Sequence, residues 1–184
     1  MATAPQSSAK TSSAARKAPA AKPATAKSPA KGPDGVALLK ADHRAVEKLF
    51  AQFEKAKDDE RKQALANQIC GELRVHMQIE EEIFYPVSRE FLKDEDIVDE
   101  AVVEHAAAKD LMTEIEGMRA GEDLYDAKVK VLSEQIEHHV EEEETEYFPK
   151  VQKTDMDLKA VGAQMAARKE ELKSQADSKS AALQ

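Results

Sequence analysis

Two stretches of this chain carry the same ordered set of metal-binding side chains. Residues His76 to Pro86 read HMQIEEEIFYP, and residues His139 to Pro149 read HVEEEETEYFP. A shift of 63 positions places His76 on His139, Glu80 on Glu143, Glu81 on Glu144 and Pro86 on Pro149. The aromatic pair Phe84-Tyr85 falls on a second aromatic pair, Tyr147-Phe148. In each copy a histidine and a glutamate stand four apart, so a helix presents both on one face, one turn from each other. A nitrogen ligand and an oxygen ligand stacked in this way on two helices make half of a metal site. One HxxxE is within the reach of chance in a chain with 34% charged residues; two copies sharing the trailing aromatic-aromatic-proline are not.

Two more histidines repeat in the same manner. Asp42-His43 aligns with Glu104-His105, and Leu49 with Leu111, at an offset of 62. The segments 34–92 and 97–153 therefore each supply one lone histidine followed by one HxxxE. A single histidine on an apolar face is more often a hydrogen-bonded core residue than a ligand. Four of them turned inward with two glutamates would be costly to bury without compensation. Metal removes that objection, because it neutralises the carboxylates and uses the imidazole lone pairs. The count suits two first-row transition ions, each with two histidines and with both glutamates bridging, and it leaves room for solvent or a small ligand. Structural zinc prefers four protein ligands, often thiolates, and calcium and magnesium prefer oxygen alone. Iron or manganese fits the mixture best, although intrinsic affinity favours copper and zinc.

Helices must position these groups. Apolar residues recur at Val36, Leu39, Val46, Leu49, Phe50 and Phe53, with Leu38 alongside and His43 on the stripe. Asp34 is the expected N-cap. A second stripe runs through Leu65, Ile69, Leu73, His76, Glu80, Ile83, Phe84 and Val87, with a kink or break expected at Pro86. A third takes Ile97, Ala101, Val102, His105, Ala108, Met112 and Ile115 and is expected to stop near Ala120-Gly121. The fourth takes Tyr125, Lys128, Leu132, Ile136, His139, Glu143 and Tyr147. His139 lies three after Ile136 and four before Glu143, on that stripe, whereas the adjacent His138 is turned ~100° toward solvent. Four such helices joined by short polar turns predict an all-α, up-down-up-down four-helix bundle. Thr154 to Asp157 form a helix start, and Leu158, Val161, Met165 and Leu172 predict a shorter extra helix outside the bundle.

Composition divides the chain into three parts: a tail over 1–34, the bundle over 35–153, and a C-terminal helix with a polar end over 154–184. The tail is rich in Ala, Lys, Pro and Ser, has no aromatic residue, and is predicted to be disordered. It carries six basic residues against Asp34 alone, so with −9 overall the remainder holds −14. Weak contact with DNA or another polyanion is one reading of the tail, and a solubilising role is the other. Cys70, the single cysteine, excludes an intrachain disulfide and reads as a small packed residue. No apolar run reaches the ~18 residues of a membrane span, and no secretory signal core is apparent. A soluble, cytoplasmic protein without membrane contact is expected.

The motifs at 42–44 (DHR), 76–86, 104–105 (EH) and 139–149 together resemble the hemerythrin-like, or HHE cation-binding, domains over about residues 35–153. That resemblance implies a four-helix bundle around a non-heme di-iron centre. It implies His43 and His76 on one iron, His105 and His139 on the other, and Glu80 and Glu143 bridging them. Manganese or zinc are the alternative metals. The oxygen-carrying members have a second histidine one turn after the third-helix ligand, where this chain has Lys109. They also place the last histidine five positions before its carboxylate, which would select His138; the internal repeat selects His139. The shell therefore resembles the four-His, two-Glu members, with Glu47 and Glu81 as spare carboxylates near the site that could complete a shell.

Three functional readings follow. The first is a binding protein for oxygen or nitric oxide, or a sensor of these or of iron. The second is a di-iron enzyme acting on dioxygen, peroxide or nitric oxide, although the sequence shows no acid-base pair beyond the ligands. The third is a DNA-associated protein with a structural metal.

Overall fold

A computed structural model describes residues 32–93 and 96–182. The expectations of disorder and polyanion contact for residues 1–34 fall almost wholly outside the described residues. Among the described residues the regular structure is entirely helical. Asp34 caps the first helix, α1 (Gly35–Lys55), by accepting from the N–H of Ala37 at 2.8 Å. Asp58 does the same for Arg61 at the start of α2 (Asp59–Ile79). Next come a π-helical turn, Glu80–Phe84, and α3 (Tyr85–Arg89). The second half runs through α4 (Asp96–Glu116), α5 (Tyr125–Glu142), a π turn at Glu143–Tyr147 and α6 (Phe148–Val151). The last helix is α7 (Leu158–Ala182).

The two prolines do not break their helices. At Tyr85 the backbone N–H reaches back five residues to the carbonyl of Glu80, and at Phe148 it reaches Glu143. Pro86 and Pro149 come directly after these widened turns, at the start of the next α-helical segment, where a missing N–H costs little. Each π turn inserts one residue into the register, so the inward face slips by one position. Phe84, Tyr85 and Ser88 are consequently buried, while Ile83 and Val87, expected inward, are half-exposed. In α4, which has no π turn, the regular 3/4 spacing of Ala101, His105, Ala108, Met112 and Ile115 extends back to Val98, so Val98 rather than Ile97 or Val102 lies in the core. That helix ends at Glu116, before the expected stop, and Gly121 takes φ +90° in the connecting loop.

α1 packs on α2 and α5, α2 on α4, and α4 on α5, which closes a ring of four helices. Connections of a few residues make sequential neighbours antiparallel, the up-down-up-down arrangement. α7 lies outside this ring across α1, α2 and the first π turn. It is the longest helix described, 25 residues, not the short one its apolar positions suggested. A Cβ on Gly162 would meet the Pro33 carbonyl oxygen at 2.6 Å, so only glycine lets α7 approach the start of α1 so closely.

The apolar core is split in two. One block holds Phe50, Phe53, Leu65, Ile69, Met112, Leu132 and Ile136. The other holds Leu39, Ile79, Phe84, Tyr85, Val98, Tyr147, Phe148, Val161 and Met165. Between them lies a polar layer, and every helix of the ring contributes to it.

Candidate metal centre

The layer is made of His43, His76, Glu80, His105, His139 and Glu143, and none of them is more than 6% exposed. The histidines face one another in pairs. Nε2 of His43 stands 3.2 Å from Nε2 of His76, and Nε2 of His105 stands 3.1 Å from Nε2 of His139. The glutamates lie between the pairs. Glu80 Oε2 is 3.2 Å from His76 Nε2 and 3.4 Å from His105 Nε2. Glu143 Oε2 is 3.3 Å from His43 Nε2 and 3.8 Å from His139 Nε2. Both glutamates are the first residues of the π turns, so the widened turns start at the site itself, a frequent setting for such turns.

Every histidine turns its other nitrogen outward to a carboxylate on a different helix. His43 Nδ1 meets Glu144 at 3.0 Å, His105 Nδ1 meets Glu81 at 2.9 Å, and His139 Nδ1 meets Glu104 at 2.7 Å. His76 Nδ1 faces Asp42 Oδ2 at 3.6 Å, the longest of the four. Each carboxylate in turn faces a basic side chain: Arg44 on Glu144, Lys169 on Asp42, Lys109 on Glu81 and His138 on Glu104. With Nδ1 of His43, His105 and His139 hydrogen-bonded outward and that of His76 turned toward Asp42, all four Nε2 atoms point into the layer. This is the outer arrangement that fixes histidine tautomers around a bound metal.

The layer fits a metal on three counts. Both oxygens of Glu80 and one of Glu143 are buried without a hydrogen-bond partner, which is costly for a carboxylate. The 3.1–3.2 Å between paired nitrogens matches two imidazoles at about 2.1 Å from one ion with roughly a right angle between them. Burial also pushes His76 down to about 4 and lowers His105, which favours the neutral, ligating form. His139 moves the other way: burial lowers it, but its hydrogen bond to Glu104 and the charges of Glu143, Glu104 and Glu142 together raise it. Burial and the charge of Glu143 drive the Glu80 carboxyl well above its usual range. Glu143 is subject to the same burial, but its contact with His43 and the surrounding imidazoles hold it down. Cations bound between two such carboxyls would favour the ionised form of both.

The structure also corrects the outer residues. Glu47 is a surface partner of Arg44 and does not face the layer, and Glu81 addresses the Nδ1 side of His105. Lys109 Nζ reaches Glu81 at 2.5 and 2.6 Å, so the departure at that position supports His105 from outside. His138 is 64% exposed on its side chain and lies on the surface with Glu104 and Glu142. Tyr85 is a site residue that the sequence hid. Its hydroxyl donates to Glu143 Oε1 at 3.1 Å and lies 3.3 Å from His105 Nε2. The signal was present in the swapped order of the two aromatic pairs, which gives one end of the layer a tyrosine and the other Phe148, stacked on His43.

Comparison with known proteins agrees with this fold. The model of the hemerythrin HHE cation binding domain matches residues 34–151. A DNA nickase from Nostoc sp. is 28% identical over 111 residues, and an uncharacterized hemerythrin-like protein of Schizosaccharomyces pombe is 25% identical over 114. These matches cover 60% and 61% of this chain, but only 31% and 56% of the relatives' own lengths. A crystal structure of a hemerythrin HHE cation binding domain-containing protein from Mycobacterium kansasii superposes with a TM-score of 0.70 at 26% identity. It spans 80% of this chain and 92% of that one. No described helix is long and apolar enough to cross a membrane. Its bundle, its buried histidine-glutamate layer and the match over 34–151 make this chain a member of the hemerythrin HHE cation binding domain family.

Proposed function

We propose that the chain is a non-heme di-iron protein that binds or senses a small diatomic molecule, dioxygen or nitric oxide. His43 and His76 would hold one iron and His105 and His139 the other, with Glu80 and Glu143 shared between them. The observation that carries the reading is the convergence of four inward Nε2 atoms on two carboxylates that have too few hydrogen-bond partners of their own. Bound iron would supply redox chemistry and an open coordination position for a diatomic ligand. The protein's own part is to hold four imidazoles in one tautomer and to exclude bulk water by the two apolar blocks. A narrow crevice between α1, α2 and α5, lined by Asp42, His43, His76, Met77 and His139, reaches the layer with room for little more than one water.

Tyr85 favours a second reading, turnover of dioxygen, peroxide or nitric oxide at the same centre. Its phenolic O–H is buried and donates a hydrogen bond to a proposed ligand, placed to stabilise a bound small molecule by hydrogen bonding without giving up the proton. Burial drives its pKa well above the usual range, so the proton stays on the oxygen. Anaerobic loading with iron, followed by exposure to oxygen or nitric oxide, tests the two readings. A reversible, ligand-dependent visible spectrum supports binding, and sustained consumption supports turnover.

A further inference from the structure

The four histidine-carboxylate-base chains around the layer are not built alike. Arg44 sits on α1, Lys109 on α4 and His138 on α5, so three of the four outer bases belong to the four-helix ring. The fourth, Lys169, sits on α7, outside both the ring and the matched segment 34–151. Its ammonium pairs with Asp42 Oδ1, and both side chains are largely shielded, at 16% and 17% exposed. The other oxygen, Asp42 Oδ2, faces His76 Nδ1, and both of these atoms are buried and unpaired. Asp42 thus has one oxygen held by α7 and one presented to a proposed metal ligand.

The placement of α7 is firm. Val161, Met165 and Leu172 are buried against the bundle, and Gly162 allows backbone contact with the start of α1. Arg168, the neighbour of Lys169, holds Glu82 at 2.7 and 3.1 Å. Glu82 is exposed to a fair degree and bonds Gln78 but no histidine. Two adjacent residues of one helix therefore make comparable ion pairs, and only one of those pairs leads to the layer.

We propose that Lys169 is a positioning residue for the metal centre. It sets Asp42 against His76, and through it the C-terminal helix governs the half of the centre formed by His43 and His76. This inference rests on the metal-centre reading above. Outer partners of ligating histidines are worth 10–100-fold in metal affinity, and Lys169, one step further out, should act near the lower limit, about tenfold.

The test is competitive chelator titration of the full-length, iron-loaded chain, with the absorption spectrum and iron stoichiometry recorded together. Lys169→Ala and Lys169→Met should each weaken retention of one of two ions about tenfold and alter the spectrum. Lys169→Arg should restore much of the affinity, and Arg168→Ala should behave as wild type. Equal weakening by Arg168→Ala would show that α7 acts by docking alone and would overturn the proposal, as would a Lys169→Ala chain indistinguishable from wild type. A wild-type chain that takes up no metal would overturn the metal-centre reading and this inference with it. A wild type that loads normally while Lys169→Ala is silent removes only the inference.

Discussion

Tyr85 and Phe148 stand 63 positions apart and cover opposite ends of one buried layer. Only Tyr85 brings it a hydroxyl. The repeat that makes the two halves alike is broken here, at an atom in contact with both His105 and Glu143. Tyr85→Phe should keep the fold and the iron content, since the ring packing is retained. It should change the visible spectrum of the loaded protein, and it should slow any turnover of peroxide. A spectrum and reactivity identical to wild type would leave the hydroxyl without a role.

His138 and His139 are adjacent, and only His139 turns its ring into the layer. The His139 side chain is 5% exposed and that of His138 is 64% exposed. His139→Ala should cost half the bound iron or more, whereas His138→Ala should leave metal content near wild type. Iron analysis of the two purified variants decides between them.

The spacing of the sequence made the inward set of six legible, because HxxxE and the apolar stripes are properties of a single helix. The partners that orient the histidines were not legible. Asp42 faces His76, Glu144 faces His43, Glu81 faces His105 and Glu104 faces His139, each pair joining different helices. Such pairings depend on the packing register between helices. The π turns changed the register once more, which moved Ile83 and Val87 outward and brought Tyr85 in. The four-helix ring followed from periodicity, but the length of α7 did not. Its later turns are polar, so no apolar stripe marked how far the helix would run.

Removing metal should lower the melting temperature substantially. The apo layer contains carboxylate oxygens without hydrogen-bond partners, and bound metal stabilises only the folded state. Thermal unfolding followed by circular dichroism, before and after chelation and after reloading, measures the shift. Equal melting temperatures would mean that the layer holds no metal of consequence.

In the metal-free protein Glu81 should add an acid-sensitive element. The hydrogen bond from His105, and then Lys109, hold its carboxyl down at about 2 against an ordinary 4.5. A depressed carboxylate stabilises the fold above its unfolded pKa and loses that contribution as pH falls toward the folded value. Urea midpoints of the apo wild type should therefore fall between pH 4.5 and 2. Glu81→Gln should be less stable at neutral pH and show a flatter fall across that window.

Leu124 adopts φ 69° at the start of α5, and the residue is 69% exposed. A left-handed conformation costs an L-residue about 1–2 kcal/mol, more than the roughly 0.5–1 kcal/mol entropic cost of glycine. Leu124→Gly should then stabilise the protein by about 0.5–1 kcal/mol, read from the urea midpoint at constant slope.

The central claim is tested most directly by iron per chain in protein loaded anaerobically and freed of loose metal, set beside the same measurement on His43→Ala with His105→Ala. The account predicts two iron ions per wild-type chain and almost none in the double variant, because each substitution removes a ligand from a different ion. A wild type that retains no iron, or a double variant that retains as much as wild type, would contradict it.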